Sequence, residues 1–215
     1  MNMAPILPSL ALMDWSRHLL WAVVLVWALL ALRQTFWPGE PRTPWLAAAV
    51  ALAVWTLWPG TASPAWWLGL AFQSPSLMTA GLCAMLLWRW LRPAAAPQTT
   101  LHEARPSTAH LWLAAAGVLL GWVLLLDTLA LTPAWLPGSI YAQGFGPWPL
   151  WLLLALGAGL WALGDKIFAI IFIATALAFT LTRLPNGNIF DAILDPWLWV
   201  ALHGALLRAL MRPRV

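Results

Sequence analysis

The chain has 215 residues, 62% of them hydrophobic and 8% charged, whereas a soluble domain carries about 25% charged residues. With a mean hydropathy of +0.79, there is too little polar surface to coat a water-soluble globule, and the length accommodates about six or seven apolar helices with their loops. The formal charge of +4 does not point to nucleic acid, because the basic residues stand singly at loop ends rather than in a patch. Cys83 is the one cysteine and sits in an apolar run, which excludes an intramolecular disulfide and a cysteine metal site. Residues 1–13 have neither a basic start nor a small-residue cleavage site, so no cleaved signal peptide is expected. Residues 1–215 read as one integral membrane domain, rich in tryptophan.

In chain order, the apolar runs predict a first span over about Trp15–Trp37, with Arg17 and His18 near its start and Arg33 near its end. A short second span, Pro44–Trp58, is stopped by Pro59-Gly60, and residues 61–75 are apolar but interrupted, closing on Gln73-Ser74-Pro75. The third span, Pro75–Leu91, runs into Arg89 and Arg92. A polar loop, 93–108, follows, and His102 is expected to be solvated there. The fourth span, Ala109–Leu131, is clean apart from His110 near its start and Asp127 near its far end. An irregular connection, 132–147, leads to a fifth span, Pro147–Gly164, which ends in the polar turn Asp165-Lys166. The sixth span is Ile167–Thr182. The stretch from Arg183 to Trp197, RLPNGNIFDAILDPW, is then unusually polar for this chain, and a seventh span over Pro196–Met211 ends in Arg212-Pro-Arg214.

The basic residues test this parsing. If the N-terminus lies outside and the spans alternate, all of the 11 Lys and Arg residues except Arg17 and Arg183 fall on the cytoplasmic side, the asymmetry expected of cytoplasmic loops. The sequence therefore predicts an all-α, polytopic transmembrane bundle of seven spans, N-out and C-in. The rival is a six-span version in which the short second span is re-entrant. The Ala-, Leu-, Trp-, Pro- and Arg-rich composition is that of a GC-rich bacterial genome, so the multi-pass location expected is a bacterial inner membrane. A faint parallel repeat overlies the spans. Trp45-Leu-Ala-Ala-Ala49 recurs as Trp112-Leu-Ala-Ala-Ala116, and Pro64-Ala-Trp66 as Pro133-Ala-Trp135. The plan could thus be one leading helix plus three similar hairpins.

Ionisable groups at membrane depth are costly, about 2.5–3.5 kcal/mol each at a helix centre on insertion scales, so they are candidates for function. The predicted topology gathers Asp127, Arg183, Asn188, Asp191, Asp195, His18 and Gln73 on the outer side, with Asp14, Arg17, Gln143 and Asn186. Such a cluster could coordinate a cation, a proton or a polar headgroup. Each member also has a local explanation. Asp195 before Pro196 is an N-cap followed by proline at the first helical position, and Ser74-Pro75 and Gly146-Pro147 are expected to start their helices the same way. Asn188 and Asp191 stand at capping-box spacing, and Asn186-Gly187 is turn chemistry. A helix running unbroken through 188–203 would instead align Asn188, Asp191, Asp195, Trp199 and His203 on one stripe. Arg183 is the expected counter-charge for one of these acids or for Asp127.

The run Gly187-Asn-Ile-Phe-Asp191-Ala-Ile-Leu-Asp195 resembles the second half of the aspartate-rich motif of membrane prenyltransferases. Its Asp-x-x-x-Asp ending also resembles that of CDP-alcohol phosphotransferases. The second aspartate-rich motif of the first family and the preceding acidic elements of the other are absent, so neither activity is carried over. No phosphate loop, serine elbow or zinc spacing occurs. No catalytic residue is assigned, no cofactor is expected, and the sequence leaves any metal open. The expected function is that of a non-enzymatic accessory or assembly subunit whose partners are the lipid bilayer and other membrane protein subunits. The alternatives are a small permease or channel with an outer polar site, and an enzyme acting on a lipid-linked substrate.

Overall fold

Serine, asparagine, aspartate and proline punctuate an otherwise apolar chain, and the helices begin where they stand. The computed structural model describes residues 7–92, 108–131 and 138–211. Within them the fold is all-α: α1 (Leu10–Phe36), α2 (Arg42–Leu57), α3 (Pro64–Phe72), α4 (Leu77–Leu91), α5 (Thr108–Thr128), α6 (Trp148–Ala162), α7 (Lys166–Thr182), α8 (Ile189–Ile193) and α9 (Pro196–Met211), with a 3-10 turn over Tyr141–Phe145. Ser9 accepts from the Leu12 N–H to open α1. Ser63 does so for α3, with Pro64 at the first helical position. Asp165 opens α7 and Asn188 opens α8. Each satisfies an N–H that the helix itself leaves orphaned.

Several expected boundaries are corrected. Residues 64–72, read as an interrupted run, form the helix α3, and the cue was Ser63-Pro64. The cap of α4 is Ser76 rather than Ser74, because the Ser76 hydroxyl meets the Thr79 N–H at 3.0 Å. The α6 helix starts after Pro147 with no side-chain cap. The unbroken helix through 188–203 does not form. Leu194 leaves α8 with extended backbone, Asp195 precedes a proline, which disfavours helical geometry for it, and α9 restarts at Pro196. His102, Arg105, Arg212 and Arg214 lie outside the described residues.

Two helices, α1 and α5, are long and apolar enough to cross a membrane by length and composition. The other apolar helices are shorter: α2, α4, α6 and α7 have 15–17 residues each. One core cluster joins Met78 of α4, Leu153 of α6, Phe179 of α7 and Ile189 of α8. A smaller one joins Leu30 of α1, Ala49 of α2 and Trp90 of α4. The most extensive packing is α6 on α7 and α1 on α2, followed by α1 on α4 and α5 on α9. The three hairpins suggested by the repeat (α2 with α4, α5 with α6, α7 with α9) are not among the substantial contacts. What recurs instead is a short helical element in each of those connections: α3, the 3-10 turn and α8.

The α5–α9 pair is built on glycine. A Cβ at Gly117 would collide with Leu202, and one at Gly121 with the Trp199 indole. This small-residue spacing lets a bulky side chain of one helix lie against the backbone of the next. The Trp199 indole N–H then donates to the Val118 carbonyl at 3.1 Å. Beyond this seam the pair is sparsely covered: Ala114 is the one buried residue of α5, and α9 has none.

Candidate functional site

The three short elements and the helix ends beside them meet at one end of the bundle, and the polar residues singled out in the sequence gather there. Asp127, at the end of α5, accepts from the Ser139 hydroxyl at 2.6 Å and the Tyr141 N–H at 2.8 Å. It thereby holds the start of the 3-10 turn. Asn188 is fully buried. Its Oδ1 accepts from the Phe190 N–H at 2.9 Å, capping α8, while its Nδ2 donates to the Tyr141 carbonyl at 2.8 Å. Gly144 is the residue that admits this amide, since a Cβ there would collide with it.

The capping box proposed for Asn188 and Asp191 is only half formed. The Asn188 N–H donates to Asn186 Oδ1 at 3.1 Å, and the Asp191 carboxylate turns elsewhere. Its Oδ2 accepts from both the Tyr141 hydroxyl and Asn186 Nδ2. Partial burial, reinforced by the bond and the charge of Asp191, pushes the Tyr141 phenol well above its ordinary range. Tyr141 is the one tyrosine in the chain, and it was not among the expected site residues. That uniqueness, in a Gly- and Pro-rich connection, was the available signal.

Asp195 is the cap the sequence expected: its Oδ1 accepts from the Leu198 N–H at 2.7 Å. Its Oδ2 also accepts from the Ser76 N–H at 2.6 Å, so one buried carboxylate fastens the starts of α4 and α9 together. Arg183 is not the counter-charge of any of these acids. The ion pairs among the described residues are Arg17 with Asp14 and His110 with Asp165. Arg183 instead ends α7 in left-handed geometry, φ 57°, with its guanidinium 5.3 Å over the Phe179 ring.

A cavity of about 1030 Å³ opens at this end, lined by Asp14, Arg17, Gln73, Tyr141, Asn186, Asp191 and Asp195 among apolar residues of α1, α3 and the 185–196 segment. The Arg17 stem fills the space over Gly69, and its guanidinium lies 5.6 Å over Trp66. The lining therefore carries three carboxylates against one guanidinium, and one of those carboxylates is paired with it. Asp127, Asn188, Arg183 and His18 do not line the cavity. His18 is buried between α1, α2 and α3. Its Nδ1 is 2.8 Å from the Thr56 carbonyl and donates to it, while Ser63 donates to the same oxygen at 2.7 Å. The opposite ring nitrogen, Nε2, is buried without a partner. Gln73 ends α3 at φ 62°, and its carbonyl accepts from the Trp21 indole at 2.9 Å.

Among the described residues, no group of three or more His, Cys, Asp or Glu side chains is placed to hold a metal ion. The other described histidines, His110 and His203, do not line the cavity. His110 pairs with Asp165, and His203 donates to the Trp199 carbonyl at 2.8 Å. Chemically, the cluster is a set of carboxylates that accept from backbone, hydroxyl, phenol, amide and guanidinium donors beside a mixed polar and apolar cavity. No family model, no curated protein and no solved structure matches the chain.

Proposed function

We propose that this chain is a multi-pass bacterial inner-membrane protein, N-out and C-in with seven crossings, and that it serves as a non-enzymatic accessory or assembly subunit of a larger membrane complex. The observation that carries the subunit reading is the sparse cover of the α5–α9 pair, where 6% of the apolar α5 window is buried and α9 has no buried residue. A helix pair joined to its neighbours mainly through short end connections presents long apolar faces suited to helices of another protein. The carboxylates agree with this reading. Asp127, Asp191 and Asp195 all accept hydrogen bonds that hold the outer connections together, which is a structural use of charge.

Seven crossings are supported by the way the helix ends sort. The starts of α1 and α9, the end of α5 and the Gln73-Ser74 lead into α4 contribute to one cavity, while Arg33, Arg42, Arg89, Arg92, Lys166 and Arg208 sit toward the opposite ends of their helices. A helix of 15 residues covers about 23 Å, short of a hydrocarbon core of about 30 Å. The short outer elements would complete such crossings, with local thinning of the bilayer. Exposed indoles at helix ends, among them Trp15, Trp37, Trp58, Trp88, Trp112 and Trp148, match an interfacial belt.

Photo-crosslinking groups at Leu119 on α5 and Val200 on α9 test the subunit reading. The expected result is a discrete adduct to another membrane protein from these positions and none from Leu156 on α6. A protein that purifies alone from mild detergent, and forms no protein adduct at either position, contradicts it. A second reading, a small permease, is favoured by the outer cavity. Asp191→Asn would then leave the membrane level normal and abolish uptake, whereas the subunit reading expects the association to survive.

A further inference from the structure

The face that α4 turns toward α7 changes character along its length. Gly81 and Met85 of α4 and Ile170 and Ala174 of α7 belong to the lining of an apolar groove of about 820 Å³, and Arg89 and Arg92 line its end near the start of α7. The two helices lie close beside Gly81, where a Cβ would stand in ordinary contact with Ile171 at 3.4 Å. Both arginines are exposed, and neither is in an ion pair among the described residues. Arg92 lies 5.0 Å over the Trp88 ring, beside the groove. The lining contains no acidic residue, and Asp165, the acid at the start of α7, is paired with His110. From Leu77 to Arg92 the groove follows α4 for about 22 Å, more than the depth of one leaflet at about 15 Å.

We propose that this groove holds one anionic phospholipid, with an acyl chain along α4 and α7 and its phosphate between Arg89 and Arg92. The inference rests on the membrane reading above. An apolar trough closed at one end by two uncompensated guanidiniums matches an amphiphile with a negative head. The positive N-terminal end of α7 at the same level adds to that attraction. A purely apolar partner helix would leave both guanidiniums without a counter-charge. In the proposed orientation this end lies at the cytoplasmic leaflet.

The test reconstitutes the full chain into vesicles of phosphatidylethanolamine and phosphatidylglycerol at three to one, confirms incorporation by flotation, and re-extracts the protein for native mass spectrometry. The wild type is expected to retain one phosphatidylglycerol, enriched several-fold over its share of the bulk lipid. The Arg89→Gln/Arg92→Gln double variant should fall to the bulk ratio. Ala174→Phe, which fills the groove with apolar bulk at an exposed position, should lose the retained lipid while still floating with the vesicles. Bulk-ratio lipid on the wild type overturns the proposal, as does undiminished enrichment in either variant or a retained protein in place of the lipid. A chain that fails to float overturns the membrane reading, and this inference with it.

Discussion

Asp195 binds two backbone N–H groups, those of Ser76 and Leu198, that are far apart in the chain, the first 119 residues away. Replacing it with alanine strands both donors, one buried and one partly buried, and a buried unsatisfied group costs about 1–3 kcal/mol. Asp195→Ala should therefore lower the melting temperature in mild detergent more than Asp195→Asn, which keeps one acceptor oxygen. Equal melting of both variants and wild type would contradict the fastening role. The cap itself was legible, because Asp-Pro before an apolar run is helix-start chemistry. The Ser76 contact was not, because nothing local announces a partner on another helix. Arg183 shows the opposite error: charge proximity in sequence suggested an ion pair, but the left-handed end of α7 directs the guanidinium to Phe179.

Tyr141 offers a second measurement at the same scale. Its phenol is held protonated by burial and by donating to Asp191. Its folded pKa is thus raised above the unfolded value of about 10. The contribution to stability is fully present below pH about 10 and is lost as pH rises through the folded value. Because there is one tyrosine, ultraviolet difference titration reads this group alone. Folded protein should show no phenolate at pH 10.5, and Asp191→Asn should bring ionisation back toward the ordinary range. A normal titration in the wild type would contradict the Tyr141–Asp191 bond.

Among the elements, the α5–α9 seam is the clearest case of packing set by small residues. Alanine replaces glycine in a helix with a gain of about 1 kcal/mol, so Gly159→Ala, where a Cβ meets nothing within 4 Å, should be neutral or stabilising. Gly121→Ala should instead destabilise, by about 1–3 kcal/mol, because the indole of Trp199 must move. Denaturation of the two variants in the same detergent compares them, and equal effects would contradict the seam. The sequence carried this signal as Gly117-x-x-x-Gly121 in an apolar run, in a span where His110 and Asp127 alone stood out. The helices themselves were legible because apolar runs broken by proline and polar turns leave few options. Most of their bounds were legible to within about three residues; α1 instead starts earlier, at Leu10, and the short helix that Ser63-Pro64 opens was read as an interrupted run. The hairpin plan failed for a different reason. A repeated Trp-Leu-Ala-Ala-Ala segment fixes neither which face of a helix is apolar nor which neighbour it meets.

The whole molecule is a bundle with two chemically distinct ends. One end holds the short helices, the fastening carboxylates and the polar cavity, and the other holds most of the described basic residues. That distinction is what makes an orientation across a bilayer possible, and it is the claim on which both the subunit reading and the lipid groove depend. Single cysteines in a Cys83→Ala background test it. Exposed Thr61 and Ala142 mark the first end, and exposed Gly39 and Leu163 the second. In right-side-out spheroplasts, a membrane-impermeant maleimide should label Thr61→Cys and Ala142→Cys at once, and Gly39→Cys and Leu163→Cys only after permeabilisation. Labelling of all four positions from the same side would contradict the account.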